Sequence, residues 1–298
     1  MMQKTLQALK RILAAVMILM LLPVCAVAEG TMDLSVTPGL NKDWYNLLLI
    51  GTDTRSDEAN AGRSDTIIIC SVNLTTVEVK LTSLTRDMWV NIPGKRMDKL
   101  NAAHTYGGPE LLIKTINENF QMNIEDYVSV NFYGVIDIVD ALGGVDVEIS
   151  KEEAGEINRR VNEQFRYADV ETLRSGVAHM AGVQALTFAR IRSLDSDFGR
   201  SGRQRRVLAA MLQKAKGASI TQLWGFANSC LDHVTTNISI PRIISMAASL
   251  LSGGLDSFGE LSLPSSGNYY YSSSDGISKV MYDQTQVTDE LHLFIYGK

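Results

Sequence analysis

Asp53, Arg55, Arg63, Asp65, Arg86 and Asp87 put both signs of charge at the ends of neighbouring apolar runs. Two carboxylates can share a hard divalent cation, and arginine forks match phosphate oxygens two at a time, so the mixture suits a metal-bound phosphate or pyrophosphate. A surface ion-pair cluster is the plainer alternative, common and worth little energy. These residues alone leave both readings open. A second concentration follows later in the chain: Arg190, Arg192, Arg200, Arg203, Arg205 and Arg206 with Gln204, accompanied only by Asp195 and Asp197. So many guanidinium groups in an acidic chain want an external anion. Arg205 and Arg206 read more simply as the solvated start of a helix.

The elements that must carry these groups can be read from period and punctuation. Residues 45–51 and 66–72 are short, apolar and bounded by turn residues, as buried strands are. The linker 52–65 has no apolar period for a crossover helix, so the two strands should be antiparallel. A tight turn at 73–76 returns a third strand, 77–84, beside the second. All the charged residues of the first cluster then fall on one edge of one sheet.

Further on, residues 97–120 predict a short and a longer helix separated at Gly107, Gly108 and Pro109, with Leu111, Leu112, Thr115, Ile116 and Phe120 as the buried stripe. A strand at 127–132, a helix at 133–142 with Val135, Ile138, Val139 and Leu142 inward, and a strand at 145–149 follow. That order predicts a parallel crossover beside the antiparallel strands, hence a mixed sheet with helices on both faces. Residues 151–167 read as an exposed, charged helical excursion and 171–180 as a linker. A helix over 181–189 that stops near Ala189 would leave Arg190 and Arg192 on one side of an extended segment. Helices at 207–216, 220–233, 240–251 and 280–296, a strand at 258–263 and a tyrosine-rich loop at 267–274 complete the chain.

Lys4, Lys10 and Arg11 precede the apolar run 12–28, the layout of an export signal. Ala26-Val27-Ala28 offers a cleavage site, while the run is nearly long enough to be a retained anchor, and either fate exports the body. The domain plan is therefore an anchor or signal peptide at 1–28, a linker at 29–44 and one domain at 45–298. The formal charge is −5, and removing the three basic residues of the first segment leaves −8, which argues against a nucleic-acid partner. Cys70 reads as a buried small hydrophobe; an oxidising compartment permits a bridge to Cys230 without demanding it. His104, His179, His233 and His292 lack metal-ligand spacing, and no Walker loop or nucleophile elbow is present.

Six segments together resemble the LytR-CpsA-Psr family of bacterial cell-envelope enzymes. They are GTDTR (51–55), RSDT (63–66), SLTRD (83–87), KLNAA (99–103), VDALGGV (139–145), and ARIR (189–192) leading into DFGR (197–200) and Arg203-Gln204. They cover residues 46–212 in the family's order. The resemblance implies an α/β/α sandwich around a mixed central sheet, a single extracellular domain behind an N-terminal anchor. It implies a phosphotransferase moving a glycopolymer, such as teichoic acid or capsule, from a polyprenyl-pyrophosphate carrier to peptidoglycan. A phosphodiester forms and polyprenyl phosphate leaves.

The implied metal is Mg²⁺, with Mn²⁺ as a substitute, held by Asp53 and Asp65. Arg86, Arg190, Arg192 and Arg200 are implied to grip the pyrophosphate, with Gln204 at a further position. Arg55, Arg63 and Asp87 are motif members, and Asp53 or Asp87 is the candidate base for the attacking hydroxyl. A lipid chain needs a long apolar pocket, for which 111–116 and 135–139 are available, though both fit ordinary core equally well. A membrane-embedded donor favours the retained anchor. The competing readings are a polyprenyl-pyrophosphate hydrolase and a non-catalytic lipid-binding envelope regulator.

Overall fold

The computed structural model describes residues 33–52, 64–76, 78–165, 169–195, 197–217, 234–238, 258–273 and 276–297. In chain order it contains β1 (Trp44–Thr52), β2 (Ser64–Asn73), β3 (Val79–Leu84), β4 (Trp89–Asn91), β5 (Met97–Lys99), α1 (Leu100–Phe120), β6 (Asp126–Val130), α2 (Phe132–Ala141), β7 (Val145–Ile149) and α3 (Lys151–Gln164). Then come β8 (Gly176–Met180), α4 (Gly182–Ala189), α5 (Asp197–Gly217), β9 (Val234–Thr236), β10 (Phe258–Leu263), β11 (Tyr269–Ser272), β12 (Lys279–Tyr282) and α6 (Gln284–Tyr296). The described residues form two compact units, 33–131 with 234–238 and 258–297, and 132–217.

The first unit is built on a mixed six-stranded sheet in the order β10-β3-β2-β1-β6-β9. β1, β2 and β3 form the expected antiparallel meander. Its tight turn is closed by the Asn73 side chain, which accepts from the Thr75 and Thr76 amides at 2.9 Å each. The parallel neighbours are β6 beside β1 and β10 beside β3. On one face Trp44, Leu48, Ile50, Ile67, Ile69 and Leu84 pack against Leu112, Ile113, Ile116 and Phe120 of α1 and Val287, Leu291 and Ile295 of α6. The run 111–116 thus belongs to close-packed core. The expected break in α1 is present: Gly107 and Gly108 leave helical geometry, and Gly108 takes a positive φ of 68°.

Two local expectations fail here for the same reason. Met97–Lys99 pairs with Trp89–Asn91 instead of opening the helix, and the tyrosine-rich segment is strand β11, paired with β12, not a loop. Each is a very short strand whose partner, rather than its own period, makes it a strand. The last helix correspondingly starts at Gln284, capped by Asp283, rather than at Val280.

The second unit corrects the predicted crossover. β7 does not join the six-stranded sheet; it pairs antiparallel with β8, inside the segment expected to be a linker. β7 buries alternate residues, as a ribbon with one wet face should. Val139, Val145, Val147, Ile149, Ile157, Phe188 and Val207 share its core with Ala154 and Val161. Those α3 residues show that the charged helix is half core rather than an excursion. Its start carries a capping box, Ser150 and Glu153 satisfying one another's amides.

Among the described residues no helix is long and apolar enough to cross a membrane. The export segment 1–28, the helices expected at 220–233 and 240–251, and Cys230 lie outside the described residues. Cys70 is a free, buried thiol.

Candidate functional site

Strand register explains why distant residues of the first cluster meet. The β2–β3 ladder ends with Ile68 opposite Ser83. Continued three residues past that pair, the register brings Asp65 opposite Arg86, and the two side chains form an ion pair. The pair sits at the rim of the sheet, each side chain 20% exposed. Arg86 Nε lies 3.7 Å from Asp87 Oδ2, and Lys99 Nζ reaches Asp87 Oδ1 at 2.9 Å. The result is a half-buried chain of alternating charge, Asp65, Arg86, Asp87 and Lys99.

Backbone bonds hold the loop that carries it. Thr85 N–H donates to Leu263 O, Leu100 N–H to Met88 O at 2.8 Å and Asn101 N–H to Arg86 O at 3.1 Å. The first turn of α1 is thereby docked on the loop, and its positive end favours an anion nearby. At the neighbouring end of β1, a bulge follows Gly51. A Cβ on Gly51 would lie 2.8 Å from Thr66 Cβ, so only glycine lets the two strands meet there. Asp53, Arg55 and Arg63 lie outside the described residues.

In the second unit α4 stops as expected, with Arg190 as its C-cap. Ile191 is fully buried between half-buried Arg190 and exposed Arg192. Beyond it the prediction is corrected: α5 begins at Asp197, so Arg200, Arg203, Gln204, Arg205 and Arg206 are all helical. Arg200 and Arg203 are 3% exposed and Arg205 8%, which rules out a solvated helix start.

Nor do Arg203 and Arg206 wait for an external anion. Arg203 donates to both Asp195 oxygens at 2.8 and 2.5 Å and to Ile191 O at 2.9 Å. Glu153 of α3 reaches Arg206 at 3.0 Å and Arg203 at 3.5 Å. Burial pushes the Glu153 carboxyl up, but the Arg206 hydrogen bond, the Ser150 amide and the arginine charges outweigh it and hold it below its usual value.

A second tie runs from α3 to the arginine loop. Glu156 accepts from the Ser193 hydroxyl, and Arg160 also donates to that hydroxyl at 3.3 Å. The Ser193 hydrogen bond is the main reason the Glu156 carboxyl falls to about 2; burial opposes it, and Arg160 and Arg159 assist. α3 is therefore the scaffold of the loop bearing Arg190 and Arg192. Composition hid this, because Glu153, Glu156 and Arg160 look like any solvated helix face. Lys99 and Asp87 were both visible in their motifs, but their pairing was not. Beside this clamp lies a cavity of about 580 Å³ lined by Glu148, Glu152, Glu153, Asp195, Arg203 and Arg206 with Ile149, Ser150 and Leu194. Its charged wall is unlike a lipid pocket.

A family model described as the LytR_cpsA_psr family matches residues 26–291. The chain belongs to the LytR-CpsA-Psr family. A family relative from Oceanobacillus iheyensis, the polyisoprenyl-teichoic acid–peptidoglycan teichoic acid transferase TagU, is 36% identical over 211 residues, 68% of this chain. The match spans 61% of that relative's length. Among solved structures of the family, TagT bound to LIIa-WTA is similar with a TM-score of 0.70 and 26% identity, over 90% of this chain and 94% of that one. YwtF (TagT) with bound octaprenyl pyrophosphate lipid gives 0.66 and 25%, over 90% and 94%. The mixed α/β fold with its central mixed sheet is the family's fold.

The strand-end carboxylates suit the cation expected in this family. Magnesium is usually held by one or two carboxylates together with substrate phosphates and water, not by an all-protein cage. Asp65 offers hard oxygen donors at the sheet rim beside a guanidinium that would meet the phosphate. Among the described residues no group of three His, Cys, Asp or Glu gathers as ligands. A cation at Asp65 would complete its shell with phosphate oxygens and water.

Proposed function

We propose that the chain is a phosphotransferase that moves a glycopolymer, teichoic acid or a related glycan, from a polyprenyl-pyrophosphate carrier to peptidoglycan. The observation that carries this reading is the Asp65–Arg86–Asp87–Lys99 array at the sheet rim, formed by residues of the family-matched region. The relatives' names and the lipid pyrophosphate held by a family structure support it.

In this reading a hydroxyl of the acceptor attacks the phosphorus that bears the glycan. The new O–P bond forms as the P–O bond to polyprenyl phosphate breaks, and the hydroxyl proton passes to a carboxylate. Asp53 or Asp87 is the candidate base, and Asp87, held between Lys99 and Arg86, also orients Arg86. Arg86 neutralises charge on the transferred group without reorganising. Arg190, Arg192 and Arg200, with Gln204, Arg55 and Arg63, bind phosphoryl oxygens. Asp53 and Asp65 hold Mg²⁺, or Mn²⁺ in its place, which when bound adds charge neutralisation at the phosphates. The finer architecture is an α/β/α sandwich held outside the cell by the anchor at 1–28.

The test is turnover of a synthetic polyprenyl-pyrophosphate glycan with and without a peptidoglycan oligomer. Wild type is compared with Arg86→Ala, Asp65→Ala and Arg190→Ala. Polyprenyl phosphate release with glycan appearing on the oligomer, lost in the variants, is expected. Release that is indifferent to the acceptor would make the chain a hydrolase, and tight lipid binding without release would make it a binding protein.

A further inference from the structure

The first described residues of the chain are bound along α1. Asp33 lies 3.7 Å from Lys114, the Asn117 side chain donates to Leu34 O at 2.8 Å, and the Ser35 hydroxyl donates to Glu118 at 2.7 Å. Thr37 N–H donates to Met122 O at 3.0 Å, and Leu34 packs on the core. From Thr37 back to Asp33 this strap climbs α1 from its last turn towards the break at Gly107 and Gly108. Lys114 stands about 9 Å past Gly108 along the helix. The chain from Asp33 back to Ala28, the end of the apolar run, spans at most about 18 Å. A bilayer holding that run therefore lies within reach of the break in α1.

The surface at that break is unlike the rest of an acidic chain. The Tyr106 hydroxyl donates to Asp98 at 2.6 Å, which joins the break to the β4–β5 hairpin. Lys95 N–H donates to Ile92 O at 2.9 Å to close the hairpin tip, and Gly94 there has a φ of 69° with open space around it. Lys95, Arg96 and Met97 are exposed, Arg96 by 77% of its side chain, and Tyr106 is 39% exposed beside them. Asp98 is largely covered, its side chain 14% exposed. Between Lys99 and Lys114 the sequence has one acid, Glu110. Two cations, a flexible thioether and a tyrosine suit a bilayer interface, where apolar parts enter the headgroup boundary while charges meet anionic lipid.

We propose that the tip of the β4–β5 hairpin, with Tyr106, rests on the anionic surface of the membrane that holds the anchor. The contact deepens the transferase reading and rests on it for the anchor and the lipid-linked donor. One short strand serves both purposes. Met97 and Lys99 share a face of β5, and Lys99 pairs with Asp87 of the charged array. Lys99 follows Met97 by about 7 Å along the strand, so the array stands close to the height at which a carrier lipid presents its pyrophosphate.

The test places the full chain in vesicles of phosphatidylglycerol and phosphatidylcholine that contain a phospholipid with a photoactivatable diazirine beside its headgroup. Adducts, mapped by peptide mass spectrometry, are expected to concentrate on residues 93–97 and Tyr106. A labelling pattern that spares the tip, or protein that stays in the aqueous phase, overturns the contact. In the same vesicles a Lys95→Gln, Arg96→Gln, Met97→Ser variant should turn over embedded donor on the order of tenfold more slowly than wild type. A short-chain donor dispersed in detergent should be turned over at the wild-type rate. Equal loss on both donors, at an unchanged melting point, overturns the contact and assigns the tip to the donor's glycan. The lipid adducts of wild type decide the contact even should the variant fold poorly. If wild type turns over neither donor but its tip is labelled, the transferase reading falls and the contact stands. If it turns over both while the tip is spared, the contact alone falls.

Discussion

Removing the Arg203 guanidinium tests whether the bond between α5 and the arginine loop holds that loop in place. The side chain is 3% exposed, whereas its partner Asp195 is 40% exposed and Glu153 is 12%. In Arg203→Ala, Glu153 keeps Arg206 and stays neutralised. Asp195 can rehydrate, so losing its pair costs about 0.5–1 kcal/mol, as for a surface bridge. The Ile191 carbonyl loses its donor at a fully buried residue, which costs about 1–3 kcal/mol. The sum is about 1.5–4 kcal/mol, or a melting point roughly 3–15 °C lower. Gly199 supplies a second perturbation, because a Cβ there collides with the Asp195 carboxylate. Gly199→Ala should be nearly neutral, because displacing the exposed Asp195 carboxylate costs about 0.5–1 kcal/mol while alanine gains about 1 kcal/mol over glycine in a helix. The assay is thermal unfolding of Arg203→Ala, Asp195→Ala and their double variant. A coupling energy of about 1 kcal/mol is expected, below the 3–5 kcal/mol of breaking a fully buried pair. Coupling indistinguishable from zero, or an Arg203→Ala melting point equal to wild type, would refute the clamp.

Other consequences can be checked separately. Glu156 titrates at about 2 when folded against an ordinary 4.5, so the stability it adds is complete above pH 4.5 and is lost as pH falls towards 2. The stability difference between wild type and Glu156→Gln should therefore shrink over that window, and a pH-independent difference would contradict the Ser193 tie. Gly51→Ala forces two Cβ atoms together across β1 and β2 and should cost about 1–3 kcal/mol in urea unfolding. The Cys70 thiol is pushed up to about 12 by burial, so Cys70 itself should resist alkylation at pH 8 in native protein and react there in unfolded protein, as read by peptide mapping of the labelled site. Rapid native labelling at Cys70 would show that β2 opens readily.

Much of the chemistry could be read before any fold was known. The meander β1–β2–β3 follows from short apolar runs joined by a tight turn and by a linker without helical period, and its register alone puts Asp65 beside Arg86. The helix break at Gly107 and Gly108 and the stop at Ala189 were equally local, written in glycine chemistry and apolar period. The motif residues of the family stood out because their charges lie at strand ends, where burial cannot explain them.

What the sequence by itself could not determine is which distant segment each element meets. The strand, helix and strand at 127–149 suggested one crossover, yet β6 pairs with β1 and β9 while β7 pairs with β8. Local period specifies that a residue is a strand or helix and which face is apolar; it carries no record of the partner across the gap. For the same reason the arginines of α5 looked short of counter-charge until α3 brought Glu153 to them. Sequence determined the donors, the acceptors and their local geometry, and the tertiary structure decided which of them neutralise one another and which are left to face a substrate.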